Sequence, residues 1–406
     1  MTSNVADMLN QASQDSLDWL IGPTTTEEFE LKFYEQRLCL VLRDAPEFYS
    51  KLLKAEDLDT VLTTHNLRYP VLRVVRGDED VPRESYTLSS GSIEPIEVTK
   101  RFDEGSTIVF NQLQSRVPSL SRLCVNLGAF FGSRVQTNIY LTPPHAQGFK
   151  PHWDTHDVFV LQVSGRKIWS IYDTRIPLPL KGQSFQSGHH EPGPVTDEFE
   201  MGPGSLLYIP RGIFHSARST DSASLHITLG LTAFTWADLL VEAVSAAALE
   251  NPSLRQNLPI GFTSGRISPD EKNRLYLEKL ALLHTPFDPA PVWQYFRNKL
   301  MAENATLFPG LLSLRLDEEV VTLNTVVGRR QALNIDIEGG TENCVIRCWD
   351  KEISLPSHVL PAIQFVMSTD RFEVRELPDC LDGPGKVTLV DRLMKEGLLV
   401  RLCVGA

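Results

Sequence analysis

The spacing of apolar residues divides the chain into stretches with different elements. Over roughly the first 115 residues the pattern is mixed. Thr25-Thr26-Glu27-Glu28 ahead of Phe29-Glu30-Leu31-Lys32-Phe33-Tyr34 predicts a capped amphipathic helix, Cys39-Leu40-Val41-Leu42 a strand, and Ala55–Leu62 a second short helix. From 120 to 235 short β-type runs alternate with Gly and Pro turns, the pattern of a small barrel. The polar stretch between Tyr172 and Glu198, with Gly182, Gly188, His189 and His190, predicts a surface loop near the barrel mouth. After Phe234 the period becomes helical. Trp236 onward repeats apolar residues every three or four positions, and a second helix follows Ser268-Pro269-Asp270-Glu271. From about 306 the pattern is mixed again, with strands at Val320–Leu323 and Val345–Trp349 and a helix beginning near Pro356. The tail from Val387 reads as helix, glycine stop at Gly397, then strand, an order that resembles a winged helix. The domains expected are 1–235, 236–305 and 306–406.

Two segments carry the chemistry. Pro151-His152-Trp153-Asp154 places a histidine and a carboxylate two residues apart, which on an extended chain puts both on one face. Gly204-Ser205-Leu206-Leu207-Tyr208-Ile209-Pro210-Arg211-Gly212-Ile213-Phe214-His215 ends a strand-like run, turns, and presents a second histidine. Two His and one Asp are the ligands of the facial triad, which leaves positions on a ferrous ion open. A His-x-Asp pair by itself is commonly a turn or surface pair, so the second segment matters most.

The second segment, Gly-x5-Pro-x-Gly-x2-His, resembles a conserved motif of cupin barrels, and 63 residues separate His152 from His215, enough for the strands between them. Asn138-Ile139-Tyr140-Leu141-Thr142-Pro143-Pro144, Gln147 to Asp154, and Phe159 to Trp169 through Gly165-Arg166-Lys167 resemble the JmjC-type ribosomal oxygenases, closely over 120–235 and loosely to the C-terminus. That resemblance implies a mixed β/α fold: a double-stranded β-helix (cupin/JmjC) barrel with an N-terminal cap, a helical dimerisation module and a C-terminal winged-helix-like domain. It implies Fe(II) with 2-oxoglutarate and O2 as cosubstrates, and His152, Asp154 and His215 as catalytic residues and metal ligands. Lys167 then falls where the family binds the far carboxylate of 2-oxoglutarate, with Asn138, Tyr140 and, more weakly, Thr228 lining the same pocket. A lysine can snorkel to solvent from such a run, but inside a barrel its ammonium needs an anion, which a dicarboxylate supplies. Arg166 should face the other side, in solvent. His226 is the rival third ligand but lacks the Pro-x-Gly-x2-His setting and reads as a core residue or one beside the ligands; His156 rivals Asp154, although a carboxylate suits ferrous iron better, and His189 and His190 read as loop residues.

Length and charge fit this picture. A chain of 406 residues is long for one core. No apolar run spans a bilayer, Met1–Met8 lacks the pattern of a secretory signal, and the scattered cysteines suit a reduced, cytoplasmic protein. The net charge of −12 disfavours nucleic acid and suits a basic partner such as a ribosomal protein, although excess acid also serves solubility. Residues 306–406 hold 11 Lys+Arg against 15 Asp+Glu, a balance of −4, so the winged-helix-like tail reads as a protein-contact or structural domain. The expected activity is hydroxylation of a side chain in a protein, with a homodimer assembled through 236–305. The rivals are a hydroxylase of a biosynthetic peptide or free amino acid, a non-catalytic metal-binding cupin, and a histone demethylase; nothing in the chain resembles a chromatin-reading module.

Overall fold

The computed structural model describes residues 16–77, 79–186, 188–284, 288–303, 312, 316, 319–330, 335–348 and 351–402. The first part runs α1 (Leu17–Ile21), α2 (Thr26–Lys32), β1 (Cys39–Val41), α3 (Ala55–Thr64), β2 (Leu72–Arg76), β3 (Glu79–Asp80), α4 (Pro95–Asp103), β4 (Thr107–Asn111) and α5 (Pro118–Phe131). Strands β5 (Ser133–Thr142), β6 (Asp157–Ser164), β7 (Lys167–Arg175), β8 (Val195–Met201), β9 (Leu206–Ile209), β10 (Ile213–Ser219) and β11 (Ser224–Ala233) follow. The strands form an eight-stranded sheet, β1-β9-β6-β11-β5-β4-β2-β3, and a three-stranded sheet, β10-β7-β8. This is the barrel expected from 120–235, with an addition. The early residues do more than cap it: β1 to β4 are strands of the larger sheet, and β2 and β4 were not visible in the periodicity.

Alternation along the strands sorts the larger sheet into two faces. Ile139, Phe159, Leu161, Ile227 and Leu229 point outward and are fully buried in one core with Leu20, Phe29, Leu120 and Leu123 of the flanking helices. The other face looks into the barrel. The local chemistry of the helices is plain: Thr25 caps α2 by accepting a hydrogen bond from Glu28 N (3.1 Å), and Pro118 opens α5, which ends at Gly132 in the left-handed region.

Two glycines set the barrel's ends. Gly165 turns β6 into β7 at φ +65°, and a Cβ there would lie 1.9 Å from the Ala223 carbonyl oxygen. Gly212 precedes β10 at φ +82°, with its Cβ position 1.8 Å from the Ile176 carbonyl oxygen. Neither place admits a side chain. The β7–β8 connection is shorter than expected, because β7 runs on to Arg175 and β8 begins at Val195. Arg166 faces away from the barrel interior, half-exposed beside Glu200 (3.0 Å).

Residues 233–303 form a separate compact unit. It contains α6 (Trp236–Glu250), α7 (Pro269–Ala281) and α8 (Ala290–Glu303); the third helix had not been foreseen. Thr235 and Asp238 make a reciprocal capping box at the start of α6, and Ser268 caps α7. In the C-terminal region β12 (Val326–Arg329), β13 (Ile335–Gly339), β14 (Asn343–Cys348), β15 (Lys351–Pro356), α9 (Leu360–Ser368), β16 (Arg371–Glu373), α10 (Gly383–Lys395) and β17 (Leu399–Arg401) make two three-stranded sheets, β16-β12-β17 and β13-β14-β15, with their own core. The strand expected at Val320–Leu323 is absent. Thr325 N donates to Thr322 O (3.0 Å) and Thr322 N to Thr325 Oγ1 (2.8 Å), which fixes a turn there, and the strand begins at Val326. The helix, glycine and strand at the tail occur as expected, with Gly397 at φ +84°. Trp349 and the expected boundary near 306 lie outside the described residues. Among the described residues no helix is long and apolar enough to cross a membrane.

Candidate active site

The barrel's inner face carries one cavity of about 130 Å³. Its walls follow the two-residue period on every strand: Asn138, Tyr140 and Thr142 from β5, Val158 and Val160 from β6, Lys167 and Trp169 from β7, His215 and Ala217 from β10, His226 and Thr228 from β11. All seven residues singled out in the sequence line it, together with His156 and Phe149.

His152, Asp154 and His215 converge, with one ligand atom from each lying within 4.8 Å of the others. His215 Nε2 and Asp154 Oδ2 are 3.6 Å apart. Two ligand atoms held at roughly 2.0–2.2 Å from one ion can stand up to about 4.4 Å apart, so this pair fits a shared metal. His152 and Asp154 do not sit on a strand. They belong to an extended segment tied to β10 by an isolated antiparallel bridge, in which His215 N donates to His152 O (2.8 Å) and His152 N to His215 O (3.1 Å). Gly212 N donates to Asp154 O (2.9 Å), extending the tie. The three side chains are thus set against one another through the backbone.

The tautomers also suit a metal. His152 Nδ1 lies 2.8 Å from Lys150 O and His215 Nδ1 lies 3.0 Å from Ile213 O. A carbonyl only accepts, so each Nδ1 carries the proton and each Nε2 presents its lone pair to the centre. Burial, reinforced by neighbouring His152, pushes His215 down to about 4 and keeps it neutral. Burial alone would raise the Asp154 carboxyl, but the imidazoles of His156, His152 and His215 outweigh it and hold it below its usual value. The donor set is two imidazoles and one carboxylate, a composition suited to a divalent first-row metal ion.

Lys167 is 3% exposed. Its Nζ donates to Thr142 Oγ1 (3.0 Å) and lies 3.3 Å from His226 Nδ1. No carboxylate is among these partners, and burial pushes the ammonium down to about 7. Tyr140 lies flat against His226, with ring centroids 4.8 Å apart and planes 4° apart, and burial, aided by the Asp154 charge, raises its phenol so that the hydroxyl stays a donor. Asn138 accepts from Gln112 N (3.2 Å). Aromatic rings collar the triad: Phe149 at 5.7 Å and Phe185 at 6.3 Å from His152, with Phe185 also against Trp153 (6.1 Å) and Phe214 (5.8 Å). Phe185 belongs to the β7–β8 loop, which therefore packs on the site instead of only framing its mouth.

Thr142, Trp169, Phe149 and Phe185 were missed in the sequence. Thr142 had a usable signal, since it stands two residues beyond Tyr140 on the same face; Phe185 had none. His226 was the rival third ligand. The structure puts it beside Lys167, outside the His152–Asp154–His215 cluster. His190 lies 6.1 Å from Trp153, ring to ring.

Antiparallel sheets enclosing a His-x-Asp…His cluster and a buried lysine make a JmjC/cupin-type fold, and residues 110–239 match the JmjC domain. The chain's relatives are proteins named ribosomal oxygenase and NO66. It is 33% identical over 276 residues to the bifunctional lysine-specific demethylase and histidyl-hydroxylase NO66 of Aedes aegypti, covering 64% of this chain and 43% of the relative. It is 33% identical over 272 residues to ribosomal oxygenase 2 of Rattus norvegicus (63% and 57%) and 31% identical over 284 residues to ribosomal oxygenase 1 of Homo sapiens (66% and 43%). The chain thus spans about half the length of the curated relatives it matches. The fold also matches the ribosomal oxygenase YcfD of Escherichia coli, solved in complex with cobalt and 2-oxoglutarate, at a TM-score of 0.52 and 16% identity over 93% of this chain and 98% of that one.

Proposed function

We propose that the protein is an Fe(II)- and 2-oxoglutarate-dependent oxygenase that hydroxylates a side chain of a ribosomal protein. The observation that carries this reading is the cavity itself: a His-Asp-His cluster and a buried lysine line one small barrel interior. His152 Nε2, Asp154 and His215 Nε2 would hold the iron. Lys167 would meet the far carboxylate of 2-oxoglutarate, with Asn138, Tyr140 and Thr228 along the wall. When bound, iron supplies the coupling of 2-oxoglutarate decarboxylation, which yields succinate and carbon dioxide, to insertion of one atom of O2 into a C–H bond. The chain's own part is to fix the ligand tautomers, neutralise the cosubstrate's outer charge, and exclude water with Phe149, Phe185 and Trp169. A non-catalytic cupin has no use for an ammonium buried without a carboxylate.

The relatives named ribosomal oxygenase and histidyl-hydroxylase support a ribosomal protein as substrate, and a net charge of −12 favours a basic partner. The five described cysteines are all unpaired, which supports a reducing, cytoplasmic setting. Incubation with Fe(II), 2-oxoglutarate, O2 and purified ribosomal proteins should add one oxygen atom to a single protein, read by intact-mass spectrometry, and the rate should fall as salt screens the charge attraction. Turnover confined to free amino acids or a small peptide would defeat the ribosomal reading and leave the oxygenase reading standing.

The 233–303 unit is read as a dimerisation module. No residue of α6 is buried, and Trp236 (72%) and Leu249 (78%) are openly exposed. So apolar a helix needs cover, and a second copy of the chain is the cover proposed. Light scattering should give a dimer that Trp236→Glu dissociates; a monomeric parent would overturn the assignment. The C-terminal region is read as a winged-helix-like protein-contact module, supported by the helix–Gly397–strand order and its net acidity; retained affinity for the ribosomal substrate after charge reversal across its surface would argue against this.

A further inference from the structure

We propose that His226 is a positioning residue, whose Nδ1 accepts a hydrogen bond from Lys167 and so holds that ammonium ready for the outer carboxylate of a bound dicarboxylate. The inference rests on the reading of the cavity as a 2-oxoglutarate site and goes beyond it, because His226 is neither a metal ligand nor the charge that pairs with the cosubstrate.

The lysine side chain explains the need. Its ammonium sits on a flexible four-carbon stem whose many rotamers must be frozen before it points one way. An ammonium has only donors, three of them, and two are engaged here: one by Thr142 Oγ1 at 3.0 Å and one by His226 Nδ1 at 3.3 Å. One N–H is left over for the cavity. Because the ammonium can only donate, the hydrogen bond fixes the imidazole with Nδ1 as acceptor and the proton on Nε2. Burial and the adjacent Lys167 charge both disfavour protonation of His226.

The ring has little freedom. One face lies on Tyr140 at 4.8 Å and 4°, and the indole of Trp169 meets it edge-on at 5.9 Å and 81°. Thr142 is held similarly, since Thr107 Oγ1 donates to Thr142 Oγ1 (3.2 Å). With Thr142 accepting from both Thr107 and Lys167, its own hydroxyl proton is free to point at the same carboxylate. The inner end of the cavity is therefore an ordered pair of donors whose geometry His226 and Thr107 maintain. A core histidine that merely filled space would be replaceable by any side chain of similar volume.

Asparagine places an amide oxygen near the position of Nδ1, glutamine near that of Nε2, and leucine fills the volume without an acceptor. In anaerobic calorimetry on the full chain loaded with Mn(II), His226→Asn should bind 2-oxoglutarate within about threefold of the parent. His226→Gln and His226→Leu should bind it roughly 10- to 100-fold more weakly, the scale of one hydrogen bond to a charged group. Mn(II) affinity should be the same in all. Should leucine prevent folding, the asparagine–glutamine contrast decides alone: equal affinities in those two variants would overturn the proposal. A parent that binds Mn(II) but no 2-oxoglutarate would instead remove the reading of the cavity on which it rests.

Discussion

Asp154→Ala should abolish turnover and weaken Mn(II) binding by at least about 100-fold, since even residues that only orient a metal ligand cost 10- to 100-fold when removed. Asp154 is the only carboxylate of the His152–Asp154–His215 cluster. Without it the site offers two imidazoles and no compensating charge, which weakens its hold on a divalent ion against bulk water. The fold should survive, because the tie between the extended segment and β10 runs through backbone groups: Gly212 N to Asp154 O, and the paired His152 and His215 amides. Anaerobic titration of Mn(II), followed by electron paramagnetic resonance, measures the loss. Affinity within about threefold of the parent would place another residue, His156 or His226, in the ligand set.

Lys167→Ala should weaken 2-oxoglutarate binding by roughly 30- to 4,000-fold, corresponding to the 2–5 kcal/mol that truncating one member of a buried charge pair costs. Metal affinity should stay close to the parent's, because the lysine lies on β7 and touches none of the three clustered residues through a hydrogen bond. The same lysine predicts a pH dependence. In the ligand-free protein burial has lowered its ammonium to about 7. A dicarboxylate stabilises the charged form and raises that value in the complex. Below pH 7 the lysine is already charged and its contribution to affinity is flat. Above pH 7 binding takes up a proton, so affinity should fall with rising pH, by up to about tenfold per unit. Calorimetry in buffers of different ionisation enthalpy reads the uptake directly; no buffer dependence at pH 8 would show that another cation meets the cosubstrate.

The His152, Asp154 and His215 constellation was legible because each lies in a local pattern. The Gly212 turn is dictated by a backbone that cannot carry a Cβ, and the two-residue spacing of His152 and Asp154 works on any extended segment, including one that is not a strand. The parity of β5 made Asn138 and Tyr140 visible, and Thr142 should have been read from the same rule. Sheet order was not legible. β2 and β4 join the barrel through partners far along the chain, and nothing in Leu72–Arg76 or Thr107–Asn111 announces that β4 lies beside β5. Phe185 illustrates the same limit, since a loop residue reaches His152 only through the path of the β7–β8 connection. His226 reads in the sequence as a residue beside the ligands and not one of them, but its hydrogen-bond partner was not legible, because Lys167 lies 59 positions away.

The most direct test is a crystal structure of the full chain prepared anaerobically with Mn(II) and 2-oxoglutarate. The metal should sit between His152 Nε2, Asp154 and His215 Nε2 at roughly 2.0–2.3 Å, with the far carboxylate of 2-oxoglutarate on Lys167. A metal bound by His226 or His156 in place of any of the three, or a cosubstrate turned away from Lys167, would contradict the account.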